Sequence, residues 1–319
     1  MSIIELATKR LEEMVRTGVT VPWAAAGLGQ SEVQARVESI RDAPPADATP
    51  VAAIPQPDGA SLLAGPASRM QLRALENAGS QPTVTLDLER LERSGQIIPR
   101  HGRSALGEEF RQIKRALIRN ARSQESTAER LSLIMVTSAL PGEGKSFCAL
   151  NLALSMAIEI DMSVLLVDAD VVRSELMRRL RVRAKKGLLD VLTDPGLNLS
   201  DVVLRTNVPK LSILPAGERN DISTELLASE AMKTLLVSLA TCNADRVVIF
   251  DAPPLLLTSE AKVLASRVGQ VVLVVEASST QRSSVAQALT SLEQCPVVMP
   301  LLNKALESQV PRGYGDYYS

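Results

Sequence analysis

Residues 131–146 read LSLIMVTSALPGEGKS: an aliphatic run, a break, and a glycine-containing loop ending in Gly-Lys-Ser. Leu131 to Val136 have the composition of a buried strand, and the run from Phe147 to Ala157 that of a helix. Strand, glycine loop and helix, in that order, is the context in which a Gly-Lys-Ser triplet holds a nucleotide. Gly142 and Gly144 let backbone N–H groups turn inward onto phosphate oxygens, and the helix N-terminus adds its positive dipole end. On this reading Pro141, Gly142, Glu143, Gly144, Lys145, Ser146 and Phe147 surround the phosphates. Lys145 reaches the β- and γ-phosphates and the Ser146 hydroxyl ligates Mg²⁺. Ala139 stands where the pattern usually has its first glycine.

Two further runs end in carboxylates. VLLVDAD closes on Asp168 and Asp170, and VVIFDAPP closes on Asp251 before Pro253 and Pro254 stop the strand. Any one of these could cap a following helix. Three strand-end carboxylates together with the phosphate loop read as a Mg-nucleotide site, because side chains at the carboxyl ends of parallel strands face the ligand crevice. Lys145 and Mg²⁺ neutralise charge on the transferred phosphoryl group, and a carboxylate takes the proton of the attacking oxygen. That oxygen belongs to water in an ATPase and to a hydroxyl in a kinase. Asn303 and Lys304, after the last strand run, read either as adenine contacts or as a polar pair opening a helix.

The distribution of tyrosine bears on that choice. All three tyrosines, Tyr314, Tyr317 and Tyr318, fall in the last six residues of PRGYGDYYS, and none is used for core packing. A glycine-containing terminal segment is expected to be mobile and able to present phenols to an active site as phosphoacceptors. An adhesive tail without that role is the plainer alternative.

Composition narrows the remaining classes. The 319-residue chain is 45% hydrophobic with a formal net charge of −1, so no overall field favours nucleic acid or anionic lipid. One histidine and three scattered cysteines exclude a Cys/His zinc constellation and make a histidine triad untenable. A reduced, cytoplasmic setting is expected, with no signal peptide and no membrane span.

The expected organisation is an N-terminal helical segment (1–42), with Ile4, Ala7, Leu11 and Met14 on one face, then an Ala/Pro-rich linker (43–82). A nucleotide-binding domain spans 83–308 and the tyrosine-rich tail 309–319. Within the domain, a helix at 104–121 carries the apolar stripe Leu106, Phe110, Ile113 and Leu117, with Arg111, Arg115, Arg119 and Arg122 on another face. Strands are expected at 131–137, 163–168, 210–214, 246–250, 270–275 and 297–302. Helices are expected at 144–159, 173–181, 229–241, 258–267 and 281–293. Apolar strands alternating with helices predict a three-layer α/β fold of the P-loop type with a mostly parallel sheet.

SALPGEGKS, LLVDADVVR, VIFDAPP, the EEFRQIKR helix and the tyrosine-rich end, in this order, resemble the bacterial tyrosine kinases of polysaccharide synthesis and export. Cytoplasmic autokinases of exosortase-linked exopolysaccharide loci are the nearest in look, and the likeness covers about residues 85–319. The resemblance implies ATP and Mg²⁺ and phosphorylation of Tyr314, Tyr317 and Tyr318 in trans. It also implies a ring-like homo-oligomer, a cognate phosphatase, and recruitment to the inner membrane by a chain-length-determinant (co-polymerase) adaptor. Lys145, Asp168 and Asp170 become the catalytic set, with Asp168 as the base; Ser146, Asp170 and Asp251 become the Mg²⁺ shell. Arg173 matches an arginine following the acidic pair. Glu108, Arg111 and Lys114 become the oligomer contact. Lys114 departs from the arginine many members have there, and Ser174 from a proline. A partitioning-type ATPase would share the acidic motifs, but its early loop lysine is absent, Leu140 and Pro141 standing there instead. A catalytically weak scaffold locked by ATP beneath a membrane exporter is the third reading.

Overall fold

The computed structural model describes residues 81–99, 104–122, 130–218, 222–241, 243 and 245–305. The N-terminal segment, nearly all of the linker, and the tail with Tyr314, Tyr317 and Tyr318 lie outside them. Alternation along the strands decides the layering. In β2 (Leu133–Ser138), Leu133 and Met135 join one buried cluster, whereas Ile134 and Val136 join another. β3 (Ser163–Asp168), β6 (Arg246–Asp251) and β7 (Gln270–Glu276) divide the same way. Successive strand residues point to opposite faces, so each aliphatic run fills two cores at once.

The sheet has eight strands in the order β1-β4-β5-β3-β6-β2-β7-β8. The remaining four are β1 (Thr83–Val84), β4 (Leu204–Thr206), β5 (Leu211–Leu214) and β8 (Val297–Asn303). Every pairing is parallel except β4 with β5. On one face lie α1 (Leu88–Arg93), α2 (Ala105–Ala121), α3 (Lys145–Ala157) and α4 (Glu175–Leu180). The other carries α5 (Leu188–Thr193), α6 (Leu199–Val202), α7 (Ser223–Ala228), α8 (Glu230–Thr241), α9 (Ser259–Ala265) and α10 (Arg282–Thr290). This is the expected three-layer fold. The six expected strands are present; β1 and β4, with no apolar run of their own, are additional.

Helix α2 differs from the expected two-stripe picture. Phe110 and Leu117 are buried, but Leu106 is 42% exposed and Lys114 only 6%. Lys114 occupies the turn between them, at the i+4 position from Phe110, and shares the docking face. Its ammonium donates to the Ser155 carbonyl at 3.0 Å and pairs with Glu159 at 2.7 Å. Assignment of Lys114 to an oligomer contact is therefore corrected: its charge is committed inside the chain. Glu108 and Arg111 pair with each other at 2.6 Å, both partly exposed.

The end of α2 is tied down by the buried Gln270. Its amide donates to the Leu117 carbonyl at 3.1 Å and the Leu131 carbonyl at 2.6 Å, and its oxygen accepts from Asn120 at 2.9 Å. Removing a buried hub leaves several polar groups without partners, at a cost of about 1–3 kcal/mol. Gln270→Ala is expected to lower the melting temperature by about 3–10 °C, given about 2–4 °C per kcal/mol for a domain of this size. Thermal unfolding followed by circular dichroism measures it.

Candidate active site

Strand register assembles the site. In the parallel pairing of β3 with β6, Asp168 lies opposite Asp251, and in that of β2 with β6, Val136 lies opposite Asp251. Both aspartates thus reach the carboxyl edge of the sheet beside the loop that leaves β2 at Ser138. Gly142 (φ 90°) and Gly144 (φ 101°) both have left-handed backbone in that loop. Gly144 has a second constraint, because a Cβ there would sit 2.1 Å from the Asn303 amide nitrogen. It precedes α3 without any side-chain cap, so the first turn keeps N–H groups for an anion.

Neighbouring elements clamp the loop. The Glu143 carboxylate accepts from Leu140 N at 2.7 Å and from the Thr280 hydroxyl. The Asn303 amide donates to the Glu143 carbonyl at 2.8 Å, and Lys304 Nζ to the Gly142 carbonyl at 2.9 Å. Asn303 and Lys304 thus hold loop carbonyls, and Lys304 also pairs with Glu276 at 3.0 Å; the residues a helix opening there would need lie outside the described residues. Thr280 was missed; no local motif marks it, since it reaches the loop only through the strand order. Pro141 is exposed at the loop tip, and the Phe147 ring packs edge-on against Phe110 with centroids 6.2 Å apart.

Lys145 is folded onto the acids. Its Nζ lies 2.6 Å from Asp170 Oδ2 and 3.9 Å from Asp251 Oδ1. Burial draws the Lys145 ammonium down, but the charges of Asp251, Asp170 and Asp168 and the Asp170 hydrogen bond hold it above the ordinary lysine value. Asp170 Oδ1 also accepts from Arg173 N at 3.2 Å, and Asp168 Oδ2 from the Ser174 hydroxyl at 2.6 Å. Ser174 has φ 38°, a conformation closed to proline, whose ring holds φ near about −65°.

Three carboxylate oxygens lack a well-placed donor. Among the described residues, Asp168 Oδ1 and both Asp251 oxygens are buried without a hydrogen bond of good geometry, the Ser146 hydroxyl lying near Asp251. Burial, reinforced by the Asp251 charge, pushes the Asp168 carboxyl up to about 7; burial, opposed by Lys145 and the Ser146 hydroxyl, pushes Asp251 up to about 6. Buried acceptors without donors cost free energy unless a cation or donor arrives, so Asp251, Asp170 and the buried Ser146 fit a divalent cation. Among the described residues, no group of three or more His, Cys, Asp or Glu side chains could hold a metal alone. A cation here needs phosphate oxygens and water to complete its shell, as Mg²⁺ in nucleotide sites does.

Comparison with known proteins gives this geometry a setting. No protein-family model matches the chain. The chain is 34% identical over 170 residues to the tyrosine-protein kinase YwqD of Bacillus subtilis, covering 53% of this chain and 70% of that one. It is 32% identical over 188 residues to the tyrosine-protein kinase CpsD of Streptococcus agalactiae, covering 58% and 80%. Among solved structures, the BceF tyrosine kinase domain superposes with a TM-score of 0.53 at 26% identity, over 73% of this chain and 96% of that one.

The raised carboxyls set a pH dependence. Folded Asp168 and Asp251 keep protons that an unfolded aspartate, with a value near about 3.9, has already released. The folded state therefore binds more protons, and their contribution to stability, complete below about pH 4, is lost as pH rises through about 6 and about 7. Metal-free protein is expected to melt at falling temperature between about pH 5 and about pH 8, with a shallower decline in Asp168→Asn. Differential scanning calorimetry across that range, in chelator, reads both slopes.

Proposed function

This chain belongs to the bacterial tyrosine-protein kinases, and from that premise we propose that it is an ATP- and Mg²⁺-dependent autokinase whose acceptors are Tyr314, Tyr317 and Tyr318 of another copy. The observation that carries the reading is Asp168: a buried carboxylate with one oxygen lacking any donor, its proton affinity raised to about 7, beside the phosphate loop. A base whose value lies near the working pH is best matched to taking a proton in the transition state. The phenol oxygen attacks the γ-phosphorus, its proton passes to Asp168 Oδ1, and the bond from phosphorus to the β,γ-bridging oxygen breaks to leave the nucleoside diphosphate.

The loop N–H groups and the start of α3 bind the phosphates. Lys145 exchanges Asp170 for the phosphate oxygens and so follows the charge as it develops. Ser146, Asp170 and Asp251 would hold Mg²⁺, which supplies charge neutralisation across the β- and γ-phosphates when bound. Arg173, exposed beside Asp170, is the cation nearest the incoming peptide on this reading.

The cellular role follows from the relatives' names and is part of the proposal. Relatives include a succinoglycan biosynthesis transport protein, ExoP of Rhizobium meliloti, 31% identical over 238 residues. Control of exopolysaccharide chain length or export through a membrane co-polymerase adaptor, with a phosphatase resetting the tail, fits that company. Among the described residues no helix is long and apolar enough to cross a membrane. Oligomerisation through the exposed Glu108–Arg111 pair belongs to the same proposal.

Purified protein incubated with ATP and Mg²⁺ is expected to gain up to three phosphates, all mapping by phosphopeptide mass spectrometry to Tyr314, Tyr317 and Tyr318. Lys145→Met should abolish the gain. Deleting 312–319 should abolish it while preserving nucleotide affinity. Phosphate on serine or threonine alone, or undiminished phosphotyrosine in Lys145→Met, overturns the assignment.

A further inference from the structure

The near-neutral chain hides a concentrated positive charge. Between Arg173 and Lys186 the sequence carries seven Lys and Arg against a single acid, Glu175, a net of +6 where the whole chain is −1. Glu175 is committed to its own helix, accepting from Arg178 and, at 3.1 Å, from Arg179. Arg179 is further held by the Gln96 side chain at 2.5 Å. The side chains of Arg181, Arg183, Lys185 and Lys186 are exposed and form no hydrogen bond or ion pair with any described residue. Five exposed cations, counting Arg173, are thus left without an acid.

Their place in the fold matters as much as their number. The segment starts at the carboxyl end of β3, where Arg173 N donates to Asp170. It ends where Leu188 N donates to the Pro215 carbonyl, one residue beyond β5. β3 and β5 are adjacent parallel strands, so the exposed cationic segment, called the ridge below, leaves from and returns to the same sheet edge from which the phosphate loop departs.

We propose that this ridge is the docking surface for the tyrosine-rich segment 312–319 of another copy of the chain once that segment carries phosphate. The inference rests on the tail being the substrate. Before transfer, 312–319 holds one arginine and one aspartate and is neutral overall, so the ridge has little to grip. Each phosphate adds about −1.5 to −2 charge and three strong acceptor oxygens, which arginine forks bind bidentately. The first transfer therefore creates the ligand that retains the tail beside the site, and the second and third transfers act on a tethered substrate.

Synthetic peptides make the test independent of catalysis. A fluorescent PRGYGDYYS peptide with three phosphotyrosines is expected to bind the full chain at least about tenfold tighter than its unphosphorylated form, with affinity falling as salt rises. The variant Arg183→Gln/Lys185→Gln/Lys186→Gln should lose that preference, keep its affinity for an ATP analogue, and accumulate singly phosphorylated protein that the wild type passes through quickly. Equal peptide affinity in variant and wild type overturns the proposal. So does binding of phosphatidylglycerol vesicles, but not phosphopeptide, through the ridge, which makes it a lipid surface. Should the wild type form no phosphotyrosine, the kinase reading fails by itself, because peptide binding is scored separately.

Discussion

One ammonium faces three carboxylates at the floor of this site, and the rest of the arrangement depends on that imbalance. Lys145 contacts Asp170 directly and Asp251 at 3.9 Å, while Asp168 relies on the Ser174 hydroxyl. Charges buried this deeply are tolerated only when paired or neutralised. Burial and mutual repulsion raise the carboxyls of Asp168 and Asp251 toward neutrality, and a bound cation would offset the surplus charge more completely. Nucleotide without metal would add negative charge to an acidic pocket; metal without nucleotide would lack ligands. On the proposed reading the two arrive together, each supplying what the other lacks.

Parallel strand order is what makes so dense a charge cluster possible. β2, β3 and β6 end at one edge of the sheet, so Asp168 and Asp251, 22 and 105 positions after Ser146, come together without long connecting loops. β7 and β8 extend the edge on the other side and deliver Thr280, Asn303 and Lys304 to the loop carbonyls and to Glu143. A loop held from both flanks presents its N–H groups at little entropic cost when phosphate arrives, which is the preorganisation that electrostatic catalysis needs.

Much of this was legible in the sequence, for identifiable reasons. The loop, the strand-end aspartates and the six core strands are written as local patterns, glycine spacing and aliphatic runs stopped by a carboxylate. Thr280 as a clamp and Asn303 as its partner were not legible, because they follow from which strands are neighbours. β1 and β4 were invisible because two- and three-residue strands carry no period. Lys114 was misplaced because a lysine on a helix is ordinarily a surface residue; only the Ser155 carbonyl and Glu159, about forty positions away, make its burial affordable.

The two positions at which the chain departs from its family's habit now have physical accounts. Ser174 holds a backbone that proline cannot adopt, and among the described residues its hydroxyl is the one hydrogen-bond donor to the Asp168 carboxylate. Lys114 replaces a guanidinium with a single ammonium that fits between Phe110 and Leu117 and reaches a carbonyl and a carboxylate at once. A planar fork there would have to satisfy five donors in the same space. Both changes therefore bear on how elements are anchored around the nucleotide site, and neither removes a group from it. What α2 keeps for other molecules is the Glu108–Arg111 pair and the arginines beyond it. Any contact proposed for this helix face is thus narrower than a three-residue motif implies.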